Sequence, residues 1–250
     1  MFAVNVVALF SRAIVIFALI FVSHFSSANT YTENDLIPPT VYSQMIKSAP
    51  GLNPKVLNLS INAIQCAINN GALPADKLTV IDYSLASTQP RLWVFDLASG
   101  KLLFNELVAH GKNSGENYAR RFSNQTGSLQ SSLGLFQTKE TYQGSNGYSL
   151  RMEGLDQGFN DKAMNRAIVF HGAPYVNATH VKKFGRIGRS WGCPAVNAGI
   201  AKKVIDTIKG EQFLFSYYPD KRWLTLSTLL HCRTEKILAS NHNIKKFSFL

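Results

Sequence analysis

Cys193 and His171 stand twenty-two positions apart in the stretch Ala167 to Val196, AIVFHGAPYVNATHVKKFGRIGRSWGCPAV. A thiol and an imidazole are the minimum pair for nucleophilic acyl transfer: the thiolate attacks and the imidazole moves the proton. Gly192 permits a tight turn in which its own N–H and that of Cys193 point the same way, toward a developing oxyanion. Ser190 adds a hydroxyl for hydrogen bonding. Lys182, Lys183, Arg186 and Arg189 lie just upstream with no acid among them, and nearby positive charge favours a thiolate. Each piece also has a plainer reading, Cys193 as a small buried hydrophobe and His171 as a structural histidine. The combination of HG, a basic loop and SxGC is what points to a site.

The flanking residues leave alternatives open. Trp191 cannot be a base, because an indole only donates; it packs over a substrate or fills core. The planar fork of Arg189 suits a substrate carboxylate, and a structural arginine reads equally well. His110-Gly111 repeats the HG pair without a following cysteine motif, so it reads as structural or peripheral. His180 is a weaker base candidate than His171. No compact ligand spacing joins His171, His180 and Cys193, so no metal and no cofactor is expected.

His171-Gly172 and Ser190-Trp191-Gly192-Cys193, with SSLGLF at Ser131 to Phe136 and RAIVFHGAPYV at Arg166 to Val176, resemble the catalytic signature of the murein L,D-transpeptidases of YkuD type. That signature is a His-Gly strand followed, after a loop, by Ser-His-Gly-Cys. This chain departs from it at Trp191, where the common form has a second histidine, and in Pro194-Ala195-Val196. The resemblance implies a β-sandwich or barrel catalytic domain. It also implies that the Gly172 carbonyl orients the His171 ring, so no acid is required. Peptidoglycan tetrapeptide stems become the substrate, a thioester on Cys193 the intermediate, and a 3–3 cross-link the product. Tyr175, Arg189 and Trp191 are then the candidate substrate contacts. Carbapenem-type β-lactams are expected to acylate Cys193.

Elements must position these residues. Ala167 to Phe170 is short, β-branched and aromatic, and reads as a buried strand that places His171 at its end. Leu78 to Tyr83, Arg91 to Leu97 and Leu102 to Val108 read as strands, with a turn at Ala98 to Lys101. Leu133 to Thr138, Tyr148 to Met152 and Phe213 to Tyr218 follow. Tyr118 to Ser132 is a surface loop whose Arg120 and Arg121 either are solvated or meet substrate carboxylates. Asn197 caps a helix from Ala198 to Lys209. Near the N-terminus, Thr40 is expected to cap a short helix. Asn53, Pro54 and Gly71 bracket a second one, with Leu57, Ile61, Ile64 and Ile68 on one face and Cys66 off it. The fold class is mainly β with a few short helices and an N-terminal helical segment.

Composition bounds the setting. The 250 residues are 46% hydrophobic and 16% charged, enough for a full core, and carry a formal charge of +11. A basic balance suits an anionic partner such as the cell wall. No zinc finger, RNP signature or basic heptad helix is present, and the cations are dispersed, which argues against nucleic acid. Residues 1–28 read as a signal peptide: Arg12, an apolar run from Ala13 to Val22, then Ser26-Ser27-Ala28. Export to the periplasm or cell envelope follows. An odd cysteine count leaves Cys193 free and lets Cys66 and Cys232 pair or not. The expected organisation is signal 1–28, helical segment 29–75, catalytic domain 76–218 and basic extension 219–250. In the extension, Trp223, Leu226, Leu230 and Ile237 form an amphipathic stripe that touches the domain or a membrane surface. Three rivals to transpeptidation remain: an L,D-carboxypeptidase or murein hydrolase with the same Cys-His pair, a wall-binding module without turnover, and a cysteine protease acting on proteins.

Overall fold

The computed structural model describes residues 36–232. The signal read over 1–28 and Ile237 of the tail stripe lie outside the described residues. Helix α1 spans Pro39–Ser48 with Pro38 as its N-cap, so Thr40 lies inside the first turn. Pro39 wins the first position because its ring presets the helical φ and its missing N–H has no role there. Helix α2 spans Pro54–Asn69, and the Asn53 side chain accepts from the Lys55 amide. Gly71 stands just past its end at φ +99°, a left-handed turn that glycine takes without strain. Cys66, off the expected stripe, is buried and forms a disulfide with Cys232, 166 residues away.

One eight-stranded sheet organises the rest. Its strands are β1 (Lys77–Asp82), β2 (Leu92–Asp96), β3 (Leu102–Glu106), β4 (Gly134–Gly144), β5 (Gly147–Gly154), β6 (Val169–Ala173), β7 (Ala195–Asn197) and β8 (Phe213–Tyr217). The spatial order is β3-β2-β1-β8-β4-β5-β6-β7. Strands β1 and β8 are parallel, as are β6 and β7, and the other neighbours are antiparallel. The chain leaving β3 at one edge bridges to β7 at the other, Ala109 to Ala195. That contact nearly closes the sheet into a barrel. Strand β4 runs six residues past the expected Thr138, through a register shift between Thr138 and Thr141. Such a bulge interrupts the alternation that reveals a strand in sequence.

Successive β1 residues face opposite sides, as a strand's period of two requires. Leu78 and Val80 join one core with Met45, Leu57 and Ile64 from the two N-terminal helices. Ile81 joins a second core with Phe136, Phe170 and, from helix α4 (Ala198–Ile208), Val204 and Ile205. The Asn197 side chain caps α4 by accepting from the Gly199 amide. Helix α3 (Ala178–Phe184) occupies part of what the sequence suggests is a basic loop.

The tail stripe needs correction. Helix α5 (Lys221–Leu226) is capped by Asp220 and ends at Leu226, which is exposed, while Trp223 is fully buried. The Trp223 indole and the Ser227 hydroxyl both donate to Asp156 Oδ2, at 2.7 and 2.9 Å. Capture of Ser227 stops the helix, so Trp223, Leu226 and Leu230 form no continuous face. No helix among the described residues is long and apolar enough to cross a membrane.

Candidate active site

His171 lies at the middle of β6, not at its end. The strand starts two residues later than the apolar run because Ala167 adopts φ +52°. The amides of Arg166, Ala167 and Ile168 instead bond back to the carbonyls of Lys162, Met164 and Ala163. His171 Nδ1 is 2.9 Å from the Gly172 carbonyl. The ring therefore donates from Nδ1 and keeps a lone pair on Nε2. Burial lowers the His171 pKa, and the Gly172 carbonyl pulls the other way. A Cβ at Gly172 would meet Ala201 Cβ at 2.7 Å, so the packing of α4 on β6 requires glycine there.

The SWGC residues form a self-bonded turn. Ser190 Oγ donates to the Cys193 carbonyl at 2.6 Å and accepts from the Gly192 amide at 3.1 Å. The Gly192 N–H, expected at an oxyanion, is thus turned onto Ser190. Gly192 has φ +130°, and a Cβ there would stand 2.9 Å from the Gln130 carbonyl; only glycine fits. Its carbonyl accepts from Ser131 Oγ at 3.0 Å. Trp191 is 75% exposed, which excludes core filling.

Cys193 is the free cysteine among the described residues and is only 9% exposed. Its sulfur accepts from the Val169 amide at 3.4 Å and its thiol faces the Ala167 carbonyl at 3.8 Å. His171 is not among its hydrogen-bond partners. The parallel register pairs His171 with Ala195, while the sulfur lies beside Val169, two residues or about 6.6 Å back along the strand. Burial raises the Cys193 pKa; the Val169 amide and the charge of Arg166 lower it.

The cations are not where the spacing suggests. Lys182 and Lys183 sit exposed in α3. Arg186 and Arg189 both pair with Glu116, and Arg189 Nη1 also donates to the carbonyls of Lys112 and Gly115. That nitrogen already holds oxygens of its own chain, which fits the structural reading of Arg189. The cation acting on the thiol is Arg166, which the loop argument misses; its place just before the strand was the available signal. Tyr175 is half-buried against Gly188, where a Cβ would meet its ring at 2.5 Å. Its pKa is pushed up to about 12, by burial and then by the Cys193 charge. Arg120 is exposed, and Arg121 Nε donates to the Asn113 carbonyl.

His110 is structural and adjoins the motif. It is fully buried, with Nδ1 2.7 Å from Arg91 Nη2 and Nε2 3.3 Å from the Gly115 carbonyl. Its own carbonyl accepts from the Ser190 amide. The His180 ring packs on Phe184 at 4.5 Å. Behind the motif lies a cavity of about 10 Å³ bordered by Tyr83, Ser131, Ser132, Gly192, Pro194 and Ser216. It holds at most a water. Among the described residues no group of three or more His, Cys, Asp or Glu side chains is placed to hold a metal.

A nearly closed sheet carrying a glycine-oriented histidine beside an SxGC turn defines a class. The family profile of the L,D-transpeptidase catalytic domain matches residues 48–217. The chain belongs to that family. Among solved structures it is similar to an L,D-transpeptidase from Mycobacterium smegmatis, at 15% identity and TM-score 0.36, covering 58% of this chain and 59% of that one. It is also similar to the helical cell shape determining protein Pgp2 from Campylobacter jejuni, at 15% identity and TM-score 0.41, covering 68% of this chain and 59% of that one. An L,D-transpeptidase from Mycobacterium tuberculosis H37Rv is similar at 13% identity and TM-score 0.34, covering 57% of this chain and 58% of that one. The chain thus spans under two thirds of each of these proteins. No curated protein matches it.

Proposed function

We propose that this chain is a cysteine-dependent L,D-transpeptidase acting on peptidoglycan tetrapeptide stems, with Cys193 as nucleophile and His171 as general base and acid. The observation that carries this reading is the orientation of His171, whose Nδ1 is held by the Gly172 carbonyl at 2.9 Å. That leaves Nε2 as the acceptor for a thiol proton. Family membership over residues 48–217 and the free thiol of Cys193 support it.

Burial raises the thiol pKa and lowers that of the imidazole. The resting pair is therefore neutral, and the proton moves to His171 as the sulfur attacks, not before. Substrate entry must break the sulfur's contacts with Ala167 and Val169 and bring it to Nε2. The sulfur then bonds the carbonyl carbon, and the peptide C–N bond breaks as His171 returns its proton to the leaving amine. An acceptor amine attacks the thioester and gives its proton to Nε2 of His171; the C–S bond breaks, and the released thiolate takes that proton back as the thiol. The amide of Cys193 is the proposed oxyanion donor; the Gly192 amide joins it only by leaving Ser190. One such donor lowers the barrier by about 3 kcal/mol. Trp191 and Tyr175 are the proposed substrate contacts.

Residues 1–28 are proposed to export the chain to the cell envelope. The Cys66–Cys232 disulfide agrees with an oxidising compartment. The deciding experiment is muropeptide mass spectrometry after incubation of the purified mature protein with tetrapeptide murein. Cross-linked dimers with a 3–3 bond, absent with Cys193→Ala, are expected. Tripeptides alone would mean a carboxypeptidase, and unchanged muropeptides a binding module.

A further inference from the structure

We propose that Arg166 is a positioning residue for Cys193: its guanidinium clamps the loop of residues 123–132 against Gly192 and fixes a cation beside the sulfur. The inference rests on the reading of Cys193 as nucleophile.

Four hydrogen bonds run from Arg166 to this one loop. Nη1 donates to the Ser123 carbonyl at 2.6 Å and to Ser132 Oγ at 2.5 Å. Nη2 donates to Ser128 Oγ at 3.1 Å and to the Gln130 carbonyl at 2.7 Å. Among the described residues Arg166 forms no ion pair with a carboxylate, so its charge is not neutralised locally. A planar fork is the side chain that can span several oxygens this way.

Backbone strain marks the same place. Leu129 has φ +57° and Ala167 φ +52°, two of three non-glycine residues with positive φ among those described. Such conformations persist only where the surroundings over-determine them. Ser128 and Gln130, the two neighbours of Leu129, are both partners of Nη2 on Arg166. Ala167 follows Arg166 directly and faces the thiol with its carbonyl. The loop's contact with the motif is close. A Cβ at Gly192 would meet the Gln130 carbonyl at 2.9 Å, and one at Gly111 would meet the Leu129 carbonyl at 2.5 Å. The carbonyl that Arg166 holds is therefore the one that presses on the nucleophile's turn.

Charge adds a second effect. The groups whose charge reaches the sulfur are Arg166 and the Tyr83 and Tyr175 phenols, while His171 stands two residues further along β6. Both phenols are pushed up to about 12, chiefly by burial, and stay neutral over the working range. Burial likewise keeps His171 neutral. Arg166 is then the fixed positive charge favouring the thiolate.

The test is the pH dependence of iodoacetamide alkylation at Cys193, read by intact mass on the full chain with its disulfide intact, alongside murein turnover. Arg166→Gln is expected to raise the alkylation midpoint by about one unit, roughly a tenfold loss of rate at neutral pH, and to lower turnover. Arg166→Lys keeps the charge but not the fork, so its midpoint stays near wild type while turnover falls. Ser128→Ala, which leaves the cation in place, behaves like Arg166→Lys. A folded Arg166→Gln with wild-type midpoint and turnover overturns the proposal. Should Arg166→Gln fail to fold by circular dichroism, wild-type turnover in both Arg166→Lys and Ser128→Ala overturns it. A wild-type protein that alkylates normally but leaves murein unchanged sinks the transpeptidase reading alone, and the midpoint shift still decides the role of Arg166.

Discussion

The sulfur of Cys193 accepts a hydrogen bond from the Val169 amide at 3.4 Å, two residues short of His171 on the same strand. The free thiol is thus stored against the backbone of β6 and not against the imidazole. Catalytic contacts of this kind commonly tighten only when substrate is bound.

Replacing the sulfur tests the nucleophile. Wild type is expected to gain the mass of one carbapenem, and Cys193→Ala to gain none. Cys193→Ala should cost about 1–3 kcal/mol of stability, because the buried Val169 amide loses the sulfur as acceptor. Intact mass and thermal melting check both halves; an adduct on Cys193→Ala would place the reactive group elsewhere.

Gly192→Ala meets both a φ of +130° and contacts at 2.9 Å from the Gln130 carbonyl and 3.1 Å from Ile168 Cδ1. We expect destabilisation of about 1–3 kcal/mol together with loss of turnover. Denaturant melts and murein digestion provide the readouts, and a stable, active variant would show that the turn relaxes freely.

Trp191 is three-quarters exposed, so Trp191→Ala should alter stability by no more than about 0.5 kcal/mol. Its expected effect is a raised KM with a smaller change in kcat, partly restored by Trp191→Phe. Unchanged KM would remove Trp191 from the substrate contacts.

His110 predicts an acid-labile fold. Its pKa is lowered to about 3 from 6.5, first by burial and then by the Arg91 charge. Between those values the unfolded chain binds the extra proton, so stability rises with pH and is lost as pH falls from neutrality toward 3. The loss at pH 4 is on the order of 3 kcal/mol. His171, also lowered by burial, acts in the same direction. His110→Asn keeps an acceptor for Arg91 and a donor for Gly115, and should flatten Tm against pH between 7 and 4. An unaltered slope would count against His110 as the source.

The Cys66–Cys232 disulfide closes a loop of 166 residues. Cys66→Ser with Cys232→Ser is expected to lower stability by about 2–5 kcal/mol. Turnover at low temperature should persist, because the crosslink ties α2 to the segment just after α5 and not to β6 or β7. Melting curves with and without reductant check this.

Local pattern carried much of the fold. Asn53-Pro54 and Asn197 start their helices because side-chain caps and proline act within one turn. The β1 to β3 meander and β8 show in their apolar runs, and the HG and SxGC residues were visible as a chemical set. The bulge in β4, the left-handed Ala167 that moves His171 to mid-strand, and the end of α5 at Ser227 were hidden. Two placements depend on partners distant in sequence: Ser227 on Asp156, and the sulfur of Cys193 on the Ala167 to Val169 backbone. The placement of charge was decided in the same way. Arg186 and Arg189 look free in a linear reading, yet Glu116, some seventy positions away, pairs with both. Arg166 looks like an ordinary strand flank until the 123–132 loop folds around it. Sequence determines which groups are present and how each segment turns; only tertiary packing decides which charges remain unneutralised beside the thiol, because Coulomb and hydrogen-bond partners are chosen by distance in space.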